Sequence, residues 1–99
     1  MKIQINQWAC SLPHKCRIYL FGSYLKGTSS EDSDLDIAVE FLEPYDEFLW
    51  YDFSDEWQSC LTENIGIKVQ LEIYEGKRTP HLKKYLEEAS MVIYDASLC

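Results

Sequence analysis

The sequence predicts an α/β (α+β) fold in which helices pack on a small mixed sheet of about four strands. Four stretches have the β-branched and aromatic content of short strands: residues 17–21, 35–41, 67–74 and 91–94. Three stretches have the apolar spacing or end signals of helices: residues 3–12, 44–64 and 79–89. Because these segments interleave and 99 residues leave room for one core, we expect residues 1–99 to form a single domain.

The first two strands carry the clearest pattern in the chain. The first, Arg17 to Phe21, is apolar and stops at Gly22, a residue that accepts the backbone angles of a tight turn. The second, Leu35 to Phe41, alternates strictly between apolar residues and a set formed by Asp34, Asp36, Ala38 and Glu40. Side chains two positions apart in a strand share a face, so Asp34 and Asp36 should project side by side.

The later elements follow from their end signals and spacing. Pro44 is predicted to open a helix whose core stripe comprises Leu49, Phe53, Trp57, Cys60 and Leu61. Gly66 should end that helix, as glycine commonly does. The third strand alternates, which places Gln70 and Glu72 on its polar face. Thr79 and Pro80 then provide an N-cap and first-turn pair for the last helix.

Two carboxylates beside a Gly-Ser turn suit metal-dependent chemistry on phosphates. Asp34 and Asp36 offer the hard oxygen ligands that Mg²⁺ prefers, and Mg²⁺ on a nucleoside triphosphate needs only one or two protein carboxylates. Gly22 and Ser23 could present backbone N–H groups and a hydroxyl to phosphates. The alternatives are a solvated aspartate in an acidic loop and an ordinary Gly-Ser turn. Neither half would mean much alone, but together they predict a nucleotide site.

Gly22-Ser23, ten further residues and then Asp34-x-Asp36, between two apolar strands, resemble the signature of the DNA polymerase β-type nucleotidyltransferase superfamily. The short chain resembles the minimal nucleotidyltransferases (MNT proteins), antitoxins often paired with HEPN-domain toxins. The resemblance covers residues 17 to 94 and implies the polymerase β-type fold, Mg²⁺ held by Asp34 and Asp36, and ATP as the substrate. It also implies transfer of AMP to an acceptor hydroxyl. Lys26 is either a positive charge near the triphosphate, in place of the usual arginine, or a solvated loop residue.

The sequence departs from that family at the third carboxylate. Gln70 stands where the resemblance places an aspartate, and an amide binds Mg²⁺ weakly and cannot accept a proton near neutral pH. Glu72, two residues on, could replace it as a catalytic group, or could be an exposed strand glutamate. Two functions stay open: an enzyme that adenylylates a HEPN toxin, or a catalytically degenerate module that neutralises its partner by contact. Transfer to a small molecule is a third hypothesis.

The amino-acid composition limits the classes of partner that we expect the protein to bind. With 17 acidic and 9 basic residues the net charge is −8, which disfavours independent nucleic-acid binding and favours a basic protein partner. A homo- or hetero-oligomer is possible. No apolar run is long enough to span a membrane and no signal-peptide core is evident, so we expect a cytoplasmic protein with reduced cysteines. Zinc binding by Cys10, His14 and Cys16 lacks a fourth ligand.

Overall fold

A computed structural model describes residues 2–12, 14–22 and 34–96 of the chain. Its helices are α1 (Lys2–Cys10), α2 (Glu47–Ile65) and α3 (Pro80–Glu88), and a short 3₁₀ turn spans Gly76–Arg78. Its strands are β1 (Cys16–Phe21), β2 (Leu35–Phe41), β3 (Val69–Ile73) and β4 (Ser90–Asp95). The predicted α+β class and all four predicted strands are therefore confirmed.

The four strands form one mixed sheet in the order β3-β2-β1-β4. β1 pairs antiparallel with both β2 and β4, whereas β2 and β3 run parallel. Phe21 lies opposite Asp36 across the β1–β2 pair, and Asp36 lies opposite Gln70 across the β2–β3 pair. The end of β1 and the starts of β2 and β3 therefore meet at one end of the sheet.

The first face of the sheet carries the larger core. Leu35, Ile37 and Val39 of β2 are fully buried there, as the alternation predicted. Helices α1 and α2 cover this face through residues that include Ile5, Trp8 and Leu61. The rings of Trp8 and Trp57 pack edge to face with their centroids 6.1 Å apart, and this contact joins the two helices.

The second face is only partly covered, and this positions the candidate site. Leu82 and Leu86 of α3 pack on Phe21 and Ala38, forming a second, smaller core. Gln70 and Glu72, farther along this face on β3, remain exposed. The β3 side of this face is therefore open to solvent, while Asp34 and Asp36 beside it are partly buried.

Helix α2 begins three residues later than the sequence predicted. It begins at Glu47, with the Asp46 carboxylate accepting a 2.9 Å hydrogen bond from the Phe48 N–H, so Pro44 precedes the helix and does not open it. Its end is as predicted, because Gly66 adopts a left-handed φ of 82° and its N–H donates to the Thr62 carbonyl.

The predicted core stripe of α2 was wrong at Phe53 and Cys60, which are exposed. Of the five predicted residues only Leu61 is fully buried, with Trp57 packed partly against the core. The stripe that faces the sheet comprises Trp50, Trp57, Leu61 and Ile65. At about 100° per residue this line is rotated around the helix from the predicted one, because several aromatic residues made both faces look apolar.

Side chains of α2 also close the outer edge of β3. Gln58 Oε1 accepts a 2.9 Å hydrogen bond from the Leu71 N–H, and Thr62 Oγ1 accepts one of 3.0 Å from the Val69 N–H. These two N–H groups point away from β2 and would otherwise be free to pair with another strand. The contacts fix β3, and with it Gln70 and Glu72, relative to the helix.

The N-cap predicted for α3 forms no capping hydrogen bond. Thr79 Oγ1 instead accepts a 3.1 Å bond from the Glu75 N–H and donates to the Gly76 carbonyl at 3.3 Å. Thr79 therefore closes the preceding 3₁₀ turn, while Pro80 occupies the first turn of the helix as predicted. No helix among the described residues is long and apolar enough to cross a membrane.

Candidate active site

The site is built around a glycine that touches an aspartate. Gly22 follows the last residue of β1 with φ of +84°, a conformation that L side chains rarely adopt. A Cβ added to Gly22 would overlap Asp36 Oδ2 and lie 3.1 Å from Asp36 Cγ. Position 22 therefore requires glycine for two reasons: its backbone angle, and the space that it leaves for the Asp36 carboxylate.

Asp34 and Asp36 lie on the same face at the start of β2, as the alternation predicted, and both are partly buried. Burial of the Asp36 carboxyl, and then the charge of Asp34, raise the pKa of Asp36 above its ordinary value. Two carboxylates that repel each other in a partly desolvated place are stabilised by a divalent cation. Their donor chemistry fits Mg²⁺, which accepts oxygen ligands and completes its shell with water and phosphate oxygens.

The third strand places the two remaining candidates differently. Gln70 is directly in register with Asp36, and Glu72 is in register with Ala38, two residues farther along the same face. The pKa of Glu72 is raised by partial desolvation of its carboxyl group and by the charge of Asp36. The register therefore gives Gln70 the position beside Asp36, while Glu72 lies close enough to sense the charge of Asp36.

Three of the predicted site residues are thus on one face, but they do not form a preformed metal cluster. Within 2–12, 14–22 and 34–96, no three His, Cys, Asp or Glu side chains are grouped closely enough to hold an ion. Two predicted nucleotide-binding residues, Ser23 and Lys26, lie outside the described residues. What the structure brings together is the Gly22 turn, Asp34, Asp36 and, farther off, Glu72.

A cleft that the sequence did not predict lies beside this face. Its volume is about 510 Å³ and it lies between β3 and the start of α3. Glu72 lines one side of it, and Leu82 and Tyr85 line the other. Leu82 and Tyr85 are three residues apart on a helix and so point to neighbouring directions, a spacing that could have indicated a shared surface.

A family model described as Polymerase beta, Nucleotidyltransferase matches residues 5–97 of the chain. The chain belongs to this nucleotidyltransferase family. Two proteins of Methanocaldococcus jannaschii assigned as protein adenylyltransferases are 39% and 41% identical to it over 71 and 73 residues. Each match covers 72% of this chain, and 68% and 69% of the respective relatives. The protein adenylyltransferase MntA of Shewanella oneidensis is 33% identical over 57 residues, covering 58% of this chain and 41% of that protein.

Solved structures share the fold. A toxin–antitoxin structure with AMP-PNP matches with a TM-score of 0.73 and 24% identity, over 95% of this chain and 73% of the matched chain. A complex of tri-AMPylated Shewanella oneidensis HEPN toxin with MNT antitoxin matches with a TM-score of 0.68 and 21% identity, over 98% of this chain and 71% of the matched chain. The fold and the family suggested by the sequence resemblance are therefore confirmed, and the chain is a nucleotidyltransferase similar to protein adenylyltransferases.

Proposed function

We propose that this nucleotidyltransferase is an antitoxin that transfers AMP from Mg-ATP to a hydroxyl group of a HEPN-type toxin. The observation that carries the proposal is the packing of Gly22 against the Asp36 carboxylate, because it places the backbone proposed to bind phosphate beside the carboxylate proposed to bind Mg²⁺. Relatives named as protein adenylyltransferases, and the shared fold of complexes with HEPN toxin, support the choice of group and acceptor.

In this proposal each residue has a distinct role. Asp34 and Asp36 would hold Mg²⁺, and a metal ion there would supply positive charge that offsets the negative charge of the phosphates. The Gly22 backbone, with the predicted help of Ser23 and Lys26, orients the β- and γ-phosphates. The acceptor oxygen forms a bond to the α-phosphorus, the bond between the α-phosphorus and the bridging oxygen breaks, and pyrophosphate leaves. Glu72 accepts the hydroxyl proton.

The role of Glu72 is the part of this mechanism that needs the most support. Gln70, in register with Asp36, cannot take the proton. Glu72 carries a carboxylate on the same strand face, and burial of this carboxyl group, followed by the charge of Asp36, raises its pKa, which favours proton uptake. A strand residue two positions away with a long side chain can reach back toward the same point.

The test incubates this protein with ATP labelled at two positions and a HEPN-domain protein as the proposed acceptor. Label in the α-phosphate should appear on the partner and label in the γ-phosphate should not, because pyrophosphate is the leaving group. Asp36→Asn should abolish the signal. Transfer of γ-label would contradict adenylylation, and absence of any transfer by the wild-type protein would leave neutralisation by contact as the function.

A second pair of variants tests the proton acceptor. Glu72→Gln should lower transfer by roughly 10²-fold, the usual loss when a general base is removed. Gln70→Asp is the matched comparison, since it adds a carboxylate where Glu72→Gln removes one. If Glu72→Gln transfers AMP at the wild-type rate, Glu72 has no catalytic role. If Glu72→Gln loses activity and the double variant Gln70→Asp with Glu72→Gln regains it, a carboxylate at position 70 can accept the proton instead.

A further inference from the structure

The cleft between β3 and α3 is continuous with the carboxylate face. It is lined by residues that include Glu72 and Ile73 on the strand side and Pro80, His81, Leu82 and Tyr85 on the helix side. Glu72 belongs both to this cleft and to the polar face that bears Asp36. Of the lining residues, Leu82 is buried in the second core, whereas Tyr85 is 55% exposed. A ligand in the cleft would therefore lie beside the reacting centre.

The strand order places this cleft and the Gly22 turn on opposite sides of Asp36. Gly22 directly follows β1, Asp36 is on β2 and Glu72 is on β3, and the sheet places β2 between the other two strands. Displacement at phosphorus requires the attacking and leaving oxygens to be roughly in line on opposite sides of the phosphorus. If the β- and γ-phosphates lie at the Gly22 turn, the acceptor has to approach from the β3 side.

We infer that the cleft between β3 and α3 receives the segment of the protein partner that carries the acceptor hydroxyl, and that Tyr85 positions this segment. The inference rests on the proposed function and adds to it the place where the partner's reactive segment binds. The hydroxyl at the Glu72 end of the cleft gives its oxygen to the α-phosphorus and its proton to Glu72, while pyrophosphate leaves toward the Gly22 turn.

The lining of the cleft suits a protein segment. Ile73, Pro80 and Leu82 contribute apolar surface to it, and Glu72 and Arg78 are its charged lining residues. Such a cleft can bind the hydrocarbon part of a side chain on its apolar surface while the polar end of that side chain lies at Glu72. The nucleobase of ATP is the competing occupant, since a flat aromatic ring could also stack on Tyr85.

Tyr85→Ala separates these two occupants. The variant truncates an exposed side chain, so it should fold normally. We expect its KM for the HEPN partner to rise about tenfold or more, with KM for Mg-ATP and kcat at saturating partner changed less than twofold, since truncating an interface aromatic commonly has such an effect. Tyr51→Ala is the matched control, because Tyr51 is a 76% exposed tyrosine on α2, outside the cleft. It should change none of these values.

Each result decides one question. A rise in KM for ATP with unchanged KM for the partner would place the nucleobase in the cleft and overturn the inference. Wild-type values for both substrates in Tyr85→Ala would show that neither occupies the cleft, again overturning the inference while the proposed function stands. If the wild-type protein transfers no AMP, the proposed function fails and the inference fails with it.

Discussion

Replacing Gly22 with alanine should weaken nucleotide binding because the new Cβ displaces the Asp36 carboxylate. The new Cβ would overlap Asp36 Oδ2 and lie 3.1 Å from Cγ and 3.2 Å from Cβ of Asp36. Since all three atoms belong to one side chain, the Asp36 carboxylate has to rotate away. Losing one charged ligand contact costs about 1.5–3 kcal/mol, which corresponds to a roughly 10- to 150-fold weaker affinity for Mg-ATP.

The chain contains a matched control for the backbone part of this effect. Gly66 has nearly the same φ, +82° against +84°, but a Cβ on Gly66 would meet no atom within 4 Å. Gly66→Ala should therefore carry only the cost of a left-handed alanine, about 1–2 kcal/mol of unfolding free energy. Gly22→Ala should carry the same cost and the loss of affinity as well.

Calorimetric titration with Mg-ATP and urea unfolding, performed on both variants, separate the two effects. We expect Gly66→Ala to be less stable than the wild type but to bind Mg-ATP with unchanged affinity. Gly22→Ala should bind at least tenfold more weakly. Wild-type affinity in Gly22→Ala would refute the claim that the turn and Asp36 form one site, and equal losses in both variants would attribute the effect to the fold.

Three further predictions concern stability and thiol chemistry. Asp36→Asn should unfold at higher urea concentration than the wild type at pH 7 without Mg²⁺. The pKa of Asp36 is raised in the folded protein, so ionisation of Asp36 lowers the stability of the wild type once the pH rises above the pKa of the unfolded chain. The difference between the two proteins should therefore vanish near pH 3. Gln58→Ala should lower the unfolding free energy by about 0.5–1.5 kcal/mol and speed hydrogen exchange at the Leu71 amide, unlike Ser59→Ala. With the other cysteines replaced by serine, Cys16 should react with a thiol reagent at pH 8 only after unfolding, since burial raises its pKa to about 12.

The sheet could be predicted because its strands obey a strict pattern. In β2 the alternation of Leu35, Ile37 and Val39 with polar residues fixes which side faces the core, and a one-residue shift would bury both aspartates. Helix α2 could not be predicted as well. Phe48 and Tyr51 are 73% and 76% exposed although both are aromatic, so composition around the helix did not reveal the face that packs on the sheet.

The candidate site, like the fold, could be predicted from the sequence only in part. Local spacing sufficed to place Asp34 and Asp36 on one face, since that depends only on the period of a strand. The register of β2 against β3 depends on the intervening helix and on its hydrogen bonds to Val69 and Leu71, which no local pattern encodes. The sequence therefore suggested that Glu72 could replace Gln70, but only the pairing of Asp36 with Gln70 shows how far Glu72 has to reach.

Instability at the carboxylates and binding of the substrate have one physical origin. Burial and the charge of Asp34 make ionised Asp36 unfavourable in the folded protein, and a cation bound there, as we propose, would stabilise the ionised carboxylate. Gly22 holds that carboxylate in place without a side chain that could compensate its charge. A ligand that binds only the folded state returns stability in proportion to its affinity. Mg-ATP should therefore stabilise the wild-type protein against unfolding, and it should not stabilise Asp36→Asn, which is the more stable of the two when no nucleotide is present.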